Sequence, residues 1–105
     1  MSDPKKTAGD LKDPLHLLPT HPLRETAHVL ALGASKYGTY NWRKSDGVKA
    51  STYSAAMMRH LFQFMDGEDA DNESGKSHLA HIMATCCILM DAERFDNLID
   101  DRNKL

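Results

Sequence analysis

Apolar residues recur at helical spacing in three stretches of the chain, and no stretch alternates apolar with polar for long enough to predict a strand. Leu23, Ala27, Leu30, Ala31 and Ala34 form the first stripe. Pro22 suits its first helical position, Glu25 its first turn, and Gly38 its stop. Tyr53, Ala56, Met57, His60, Leu61 and Phe64 form the second, from near Ser51 to Gly67. Met58, Phe62 and Met65 add another apolar row there, so this helix is expected to be covered on more than one side. The third runs from about His78 to Phe95, with Ser77 as its cap and Leu79, Ile82, Met83, Cys86, Leu89 and Met90 on a broad apolar surface. The pattern predicts an all-α fold, a small bundle of three main helices. Its surplus of apolar surface predicts completion by homo-oligomerisation, as a homodimer or a higher oligomer.

Between these helices, Thr39 to Lys49 has no period and reads as a loop of functional length. Residues 1–20 read as a polar, proline-containing arm, 21–95 as the helical domain, and 96–105 as a charged tail. At 105 residues the chain is one domain with a modest core. Its net charge of -2 gives no field suited to nucleic acid or to an anionic membrane, so neither specific DNA or RNA binding nor membrane association is expected. Ile82 to Met90 is far too short to span a bilayer, and the N-terminal residues are polar; a cytoplasmic protein is expected. Cys86 and Cys87 are neighbours and point about 100° apart on a helix, which argues against a mutual disulfide; they are expected to be small buried hydrophobes.

Three groups of residues could carry chemistry. Lys36-Tyr37-Gly38-Thr39-Tyr40-Asn41-Trp42-Arg43-Lys44 packs three cations and three aromatics into the end of the first helix and its loop. Cations neutralise phosphate, aromatic faces stack on bases and an asparagine amide reads a base edge; the bland alternative is a loop pinned by a buried Trp42. The loop after Gly67 carries Glu68, Asp69, Asp71 and Glu73, which could hold a hard divalent cation or simply favour the N-terminus of the next helix. His78 and His81 lie one turn apart on the third helix, and His60 on the facing stripe of the second; they could bind metal, act as a base or be core residues. Arg59, beside His60, should seek an anion. Two partial motifs fail. Ala70 to Ser77 fits a permissive phosphate-loop pattern but follows a helix and a row of carboxylates, and Asp69, Asp71 and Glu73 open a calcium-loop spacing in which Ser74 and Ala80 occupy essential places.

Lys36-Tyr37-Gly38, Asn41-Trp42-Arg43-Lys44, Tyr53-Ser54-x-Ala56, Arg59-His60, Gly67-Glu68, Asp71-x-Glu73-Ser74-Gly75 and His78-Leu79-Ala80-His81, with Lys12-Asp13-Pro14-Leu15 and Leu17-Leu18-Pro19 upstream, resemble a phage family. It is the dATP/dGTP diphosphohydrolase-like family, distantly related to MazG-like all-α nucleoside triphosphate pyrophosphatases. The resemblance implies a phage protein acting in the host cytoplasm that cleaves a purine deoxynucleoside triphosphate to monophosphate and pyrophosphate with Mg2+. MazG-like enzymes hold metal with Glu-x-x-Glu and Glu-x-x-Asp helices. This chain lacks the first and has His78-Leu79-Ala80-His81 in place of the second, so metal ligation falls to Glu68, Asp71 and Glu73. On this reading Glu68, His78 and His81 are catalytic. Lys36, Tyr37, Asn41, Trp42, Arg43, Lys44, Tyr53, Arg59 and His60 bind the substrate, and 21–95 is a nucleotide-binding domain. The alternative is a non-catalytic protein, such as a phage anti-defence sponge, that sequesters a nucleotide or nucleotide-derived signal.

Overall fold

The computed structural model describes residues 3–105 and forms an all-α bundle of three long helices, α2 (Thr20–Tyr37), α4 (Ala50–Met65) and α5 (His78–Arg94). Two short helices accompany them, α1 (Pro4–Gly9) and α3 (Asn41–Lys44), with a single 3-10 turn at Leu15–Leu17. Helix α5 is central and packs against both α2 and α4.

The face that α5 buries is an alanine row. Ala80, Ala84 and Ala92 are almost completely buried, and Ile88 continues their four-residue spacing into the cleft described below. Methyl side chains let the flanking helices approach closely; of the larger residues expected on this surface, Ile82, Met83 and Leu89 are half-buried and the others exposed. Leu79 is 45% and Met90 73% exposed, and Cys86 and Cys87 are also exposed, contrary to the expectation of buried cysteines. On α2 the buried residue is Thr26, whose hydroxyl satisfies itself on the Pro22 carbonyl at 2.7 Å, whereas Leu23, Ala27 and Ala31 of the expected stripe face solvent. Helix α4 is covered on one side only. Met58, Phe62 and Met65, at i, i+4 and i+7, are 51%, 54% and 70% exposed.

Helix boundaries follow local chemistry with one shift. Helix α2 begins at Thr20, two residues before the expected Pro22. Proline is harmless there too, because the first four amides of a helix have no intrahelical partner, but Glu25 then lies beyond the first turn. Gly38, at φ 94°, stops the helix and donates its N–H to the Ala34 carbonyl at 2.8 Å. Ser77 caps α5 by accepting from the Leu79 amide.

The segments expected to be irregular contain structure. Within 1–20, α1 is capped by Asp3 and, like the turn after it, is exposed throughout. Beyond α3, the expected loop forms β1 (Val48–Lys49), which pairs in parallel with β2 (Leu98–Ile99) from the charged tail. Pairs of two residues are too short to leave an alternating pattern. The tail is fastened further by the Asn97 amide, which donates to the Trp42 and Ser45 carbonyls, and by Asp101, which accepts from the Ser51 amide at 2.8 Å and from its hydroxyl at the start of α4.

Gly47 permits this pairing. Its φ is 131°, and a Cβ there would stand 2.8 Å from Ile99 Cγ1 and closer still to Cδ1. Gly47→Ala is expected to destabilise the fold by about 1–3 kcal/mol, measured as a lower urea midpoint with an unchanged m-value.

Candidate functional site

A cleft of about 440 Å³ lies between α2, α3, α5 and the loop that joins α4 to α5. Its walls are built from both chemically rich segments of the sequence. One supplies Lys36, Tyr37, Asn41 and Trp42; the other supplies Asp71, Glu73, Ser74 and His81; Tyr53 of α4 joins them. Apolar lining comes from Val29 and Leu30 of α2 and Ile88 of α5.

The first wall is held by a carboxylate on α5. After Gly38, the left-handed Tyr40 (φ 54°) redirects the chain into α3. Trp42 Nε1 donates to Asp91 Oδ2 at 2.6 Å, while Arg43 grips the same carboxylate with both Nε (2.7 Å) and Nη2 (3.0 Å). The Arg43 guanidinium also lies 4.1 Å from the Tyr40 ring centre and 4.0 Å from that of Phe95. Hydrogen bonds from Arg43 and then Trp42 hold the Asp91 carboxyl down to about 2. Trp42 is thus both pinned and part of the cleft wall. Arg43, expected to bind phosphate, is committed to Asp91 and absent from the lining. Lys44 flanks a shallower depression with Tyr37 and Asn41.

The second wall is a tight hairpin. Ala70 and Ser77 form an antiparallel bridge, Asp71 N–H donates to the Lys76 carbonyl at 2.8 Å, and Gly75 N–H to the Asp71 carbonyl at 2.7 Å. The Asp71 carboxylate accepts from the Ser74 amide at 2.9 Å, and the Ser74 hydroxyl meets His81 Nε2 at 2.7 Å. Burial opposes ionisation of Asp71, but hydrogen bonds from Ser74 and the nearby imidazoles overcome it and hold this carboxyl below its usual range.

The three histidines converge at that wall: His81 lines the cleft, whereas His60 and His78, expected as a substrate-binding and a catalytic residue, stand outside its lining. His60 Nδ1 is 2.8 Å from His78 Nδ1, and the His60 ring stacks on His81 with centres 4.4 Å apart and planes 6° from parallel. Burial, then the neighbouring His81, pushes the His60 pKa down. Burial likewise lowers that of His81, aided by His78 and Lys36 against the opposing pull of Asp71. Both rings are therefore neutral at pH 7. Glu68, expected as a metal ligand beside Asp71 and Glu73, instead lies 3.3 Å from His78 Nε2 and outside the cleft lining. Arg59 is exposed and also outside the lining.

Asp91 is the residue that sequence reasoning missed. The signal for it was one carboxylate directly after the apolar run ending at Met90. Ser74, which contacts both Asp71 and His81, was marked only by its place in the Asp71-x-Glu73-Ser74-Gly75 motif, without a role of its own.

Comparison with known proteins gives two matches. The family described as dATP/dGTP diphosphohydrolase, N-terminal, matches residues 2–102. A dATP/dGTP diphosphohydrolase of Salmonella phage PMBT28 is 39% identical over 70 residues, which take in 67% of this chain and 23% of that relative. The chain therefore matches less than a quarter of the relative's length. No solved structure matches the chain.

The clasp on Asp91 has a defined acid sensitivity. Its carboxyl is lowered in the fold from an ordinary value near about 4, so the stability it contributes is complete above that value and is lost as pH falls toward about 2. Fluorescence of Trp42, the sole tryptophan, should hold steady from neutral pH to about pH 4 and shift to the red below it. Asp91→Ala should show the red-shifted emission already at pH 7.

Proposed function

As the chain belongs to the dATP/dGTP diphosphohydrolase N-terminal family, we propose that its cleft binds a purine deoxynucleoside triphosphate and cleaves it to monophosphate and pyrophosphate. The observation that carries this reading is the meeting of a cationic, aromatic wall with a carboxylate and imidazole wall in one cavity. Lys36 neutralises the polyphosphate, Tyr37, Trp42 and Tyr53 offer faces to the base, and the Asn41 amide reads its edge.

Mg2+ favours one or two carboxylates together with substrate phosphates. Asp71, kept ionised by Ser74, and Glu73 fit that need and would hold it. When bound with the nucleotide, Mg2+ supplies charge neutralisation at the phosphoryl oxygens. The neutral His81 imidazole, oriented by Ser74, accepts a proton from the attacking water. Glu68 and His78 act behind the wall as positioning residues, through their contact with each other and with His60.

A second reading, a protein that sequesters a nucleotide or nucleotide-derived signal without turnover, is favoured by the small carboxylate complement of the cleft, Asp71 and Glu73 among the described residues. The same proposal includes self-association. Among the described residues the buried apolar ones are Val48 and four alanines, so a second copy covering Met58, Phe62 and Met65 would supply the missing burial. No described helix is long and apolar enough to cross a membrane.

Incubation with dATP or dGTP and Mg2+ should yield monophosphate and pyrophosphate. Asp71→Asn should lower kcat by about 100-fold or more, and Lys36→Ala should raise KM. Recovery of intact nucleotide from a tight complex would replace the hydrolase with the sequestering protein. In light scattering the chain should be a dimer or larger, and Phe62→Glu should shift it to monomer; a monomeric wild type would overturn the self-association.

A further inference from the structure

His60 of α4 and His78 of α5 stand beside Asp71 of the hairpin, which also lines the cleft, and the three bring potential ligand atoms within 4.8 Å of one another. We propose that these residues form a site for a divalent first-row transition cation, distinct in chemistry from the magnesium that accompanies nucleotide phosphates. The inference does not rest on nucleotide binding.

Two imidazole nitrogens and one carboxylate oxygen are a donor set for zinc or its neighbours, whereas Mg2+ takes oxygen ligands almost exclusively. His60 Nδ1 and His78 Nδ1 stand 2.8 Å apart. Metal–nitrogen bonds near 2.0–2.1 Å at a tetrahedral angle would place them about 3.3 Å apart, so the rings need to part by roughly half an ångström. The surroundings already hold the two rings in place. His60 stacks on His81, and His78 is completely buried with its backbone N–H on the Asp69 carbonyl at 3.0 Å.

The other ring nitrogen of His78 is the second, independent observation. Nε2 is buried and makes no hydrogen bond among the described residues, yet Glu68 Oε1 stands 3.3 Å away. A carboxylate behind an imidazole is the usual companion of a metal-bound histidine: it takes the proton on one nitrogen and frees the lone pair of the other. A small reorientation of the Glu68 carboxylate completes that hydrogen bond and leaves His78 Nδ1 as a ligand. Without a cation, one of the two facing Nδ1 atoms must carry a proton for the other. Three protein ligands leave a fourth tetrahedral position for water.

The test uses the full chain, stripped with chelator, and Zn2+ or Co2+ without nucleotide. Calorimetry should give one Zn2+ per chain, retained in a large excess of Mg2+, and Co2+ should give the visible absorption of a four-coordinate nitrogen and oxygen site. His60→Gln and Asp71→Asn, each checked for native helicity by circular dichroism, should abolish it, and Glu68→Gln should weaken it roughly 10- to 100-fold. The paired Cys86→Ser and Cys87→Ser variant should bind as the wild type does, because both thiols lie outside the proposed ligand set. Absence of binding, binding that survives His60→Gln and Asp71→Asn, or binding lost with the cysteines would overturn the site.

Discussion

The close approach of α2 and α4 to a row of alanines on α5 is the constraint from which the rest of the structure follows. Ala80, Ala84 and Ala92 offer methyl groups where longer side chains would hold the helices apart. Dispersion between closely packed helices compensates for the limited burial of large side chains, since no bulky apolar residue of the three helices is fully buried. The same close packing brings Thr26 and His78, both polar, into the interior. Thr26 satisfies itself on its own helix, whereas His78 has to find partners on α4 and in the acidic hairpin.

A second device joins elements that are distant in sequence. Asp91 gathers the Trp42 indole and the Arg43 guanidinium, and Asn97 takes up the Trp42 and Ser45 carbonyls from the tail. The two short strands extend this fastening to the start of α4, where Asp101 meets Ser51. Exposed ion pairs contribute little to stability on their own. Here the carboxylate is shared by a bidentate guanidinium and an indole, so its chief effect is to fix the orientation of one cleft wall.

The opposite wall is ordered by a serine rather than by the charges around it. Ser74 gives its amide to Asp71 and its hydroxyl meets His81, so an ionised Asp71 and a neutral imidazole stand together at the cleft beside Glu73. Glu68 begins the same acidic run, but the helix end at Asp66 and the turn at Gly67 direct it toward His78. Neighbouring carboxylates thus acquire separate tasks from the backbone geometry of a single loop, one facing the cleft and one supporting a ring behind it.

The sequence by itself determined the number and limits of the long helices, because periodicity, Gly38, Gly67 and the Ser77 cap are local signals that act within a turn or two of the chain. It also marked the two segments that meet in the cleft, since their residue types are unusual wherever they fold. The choice of buried face belonged to tertiary structure. An alanine row and a stripe of leucines and methionines are both compatible with one helix, and only the closeness of the neighbours selects between them. The partners of Arg43, Glu68 and Asp91 were likewise decided by the fold, across 48 residues of chain in the case of the Arg43–Asp91 pair. A charged side chain takes whichever partner the fold brings within hydrogen-bonding reach, and that distance is not encoded in the neighbouring sequence.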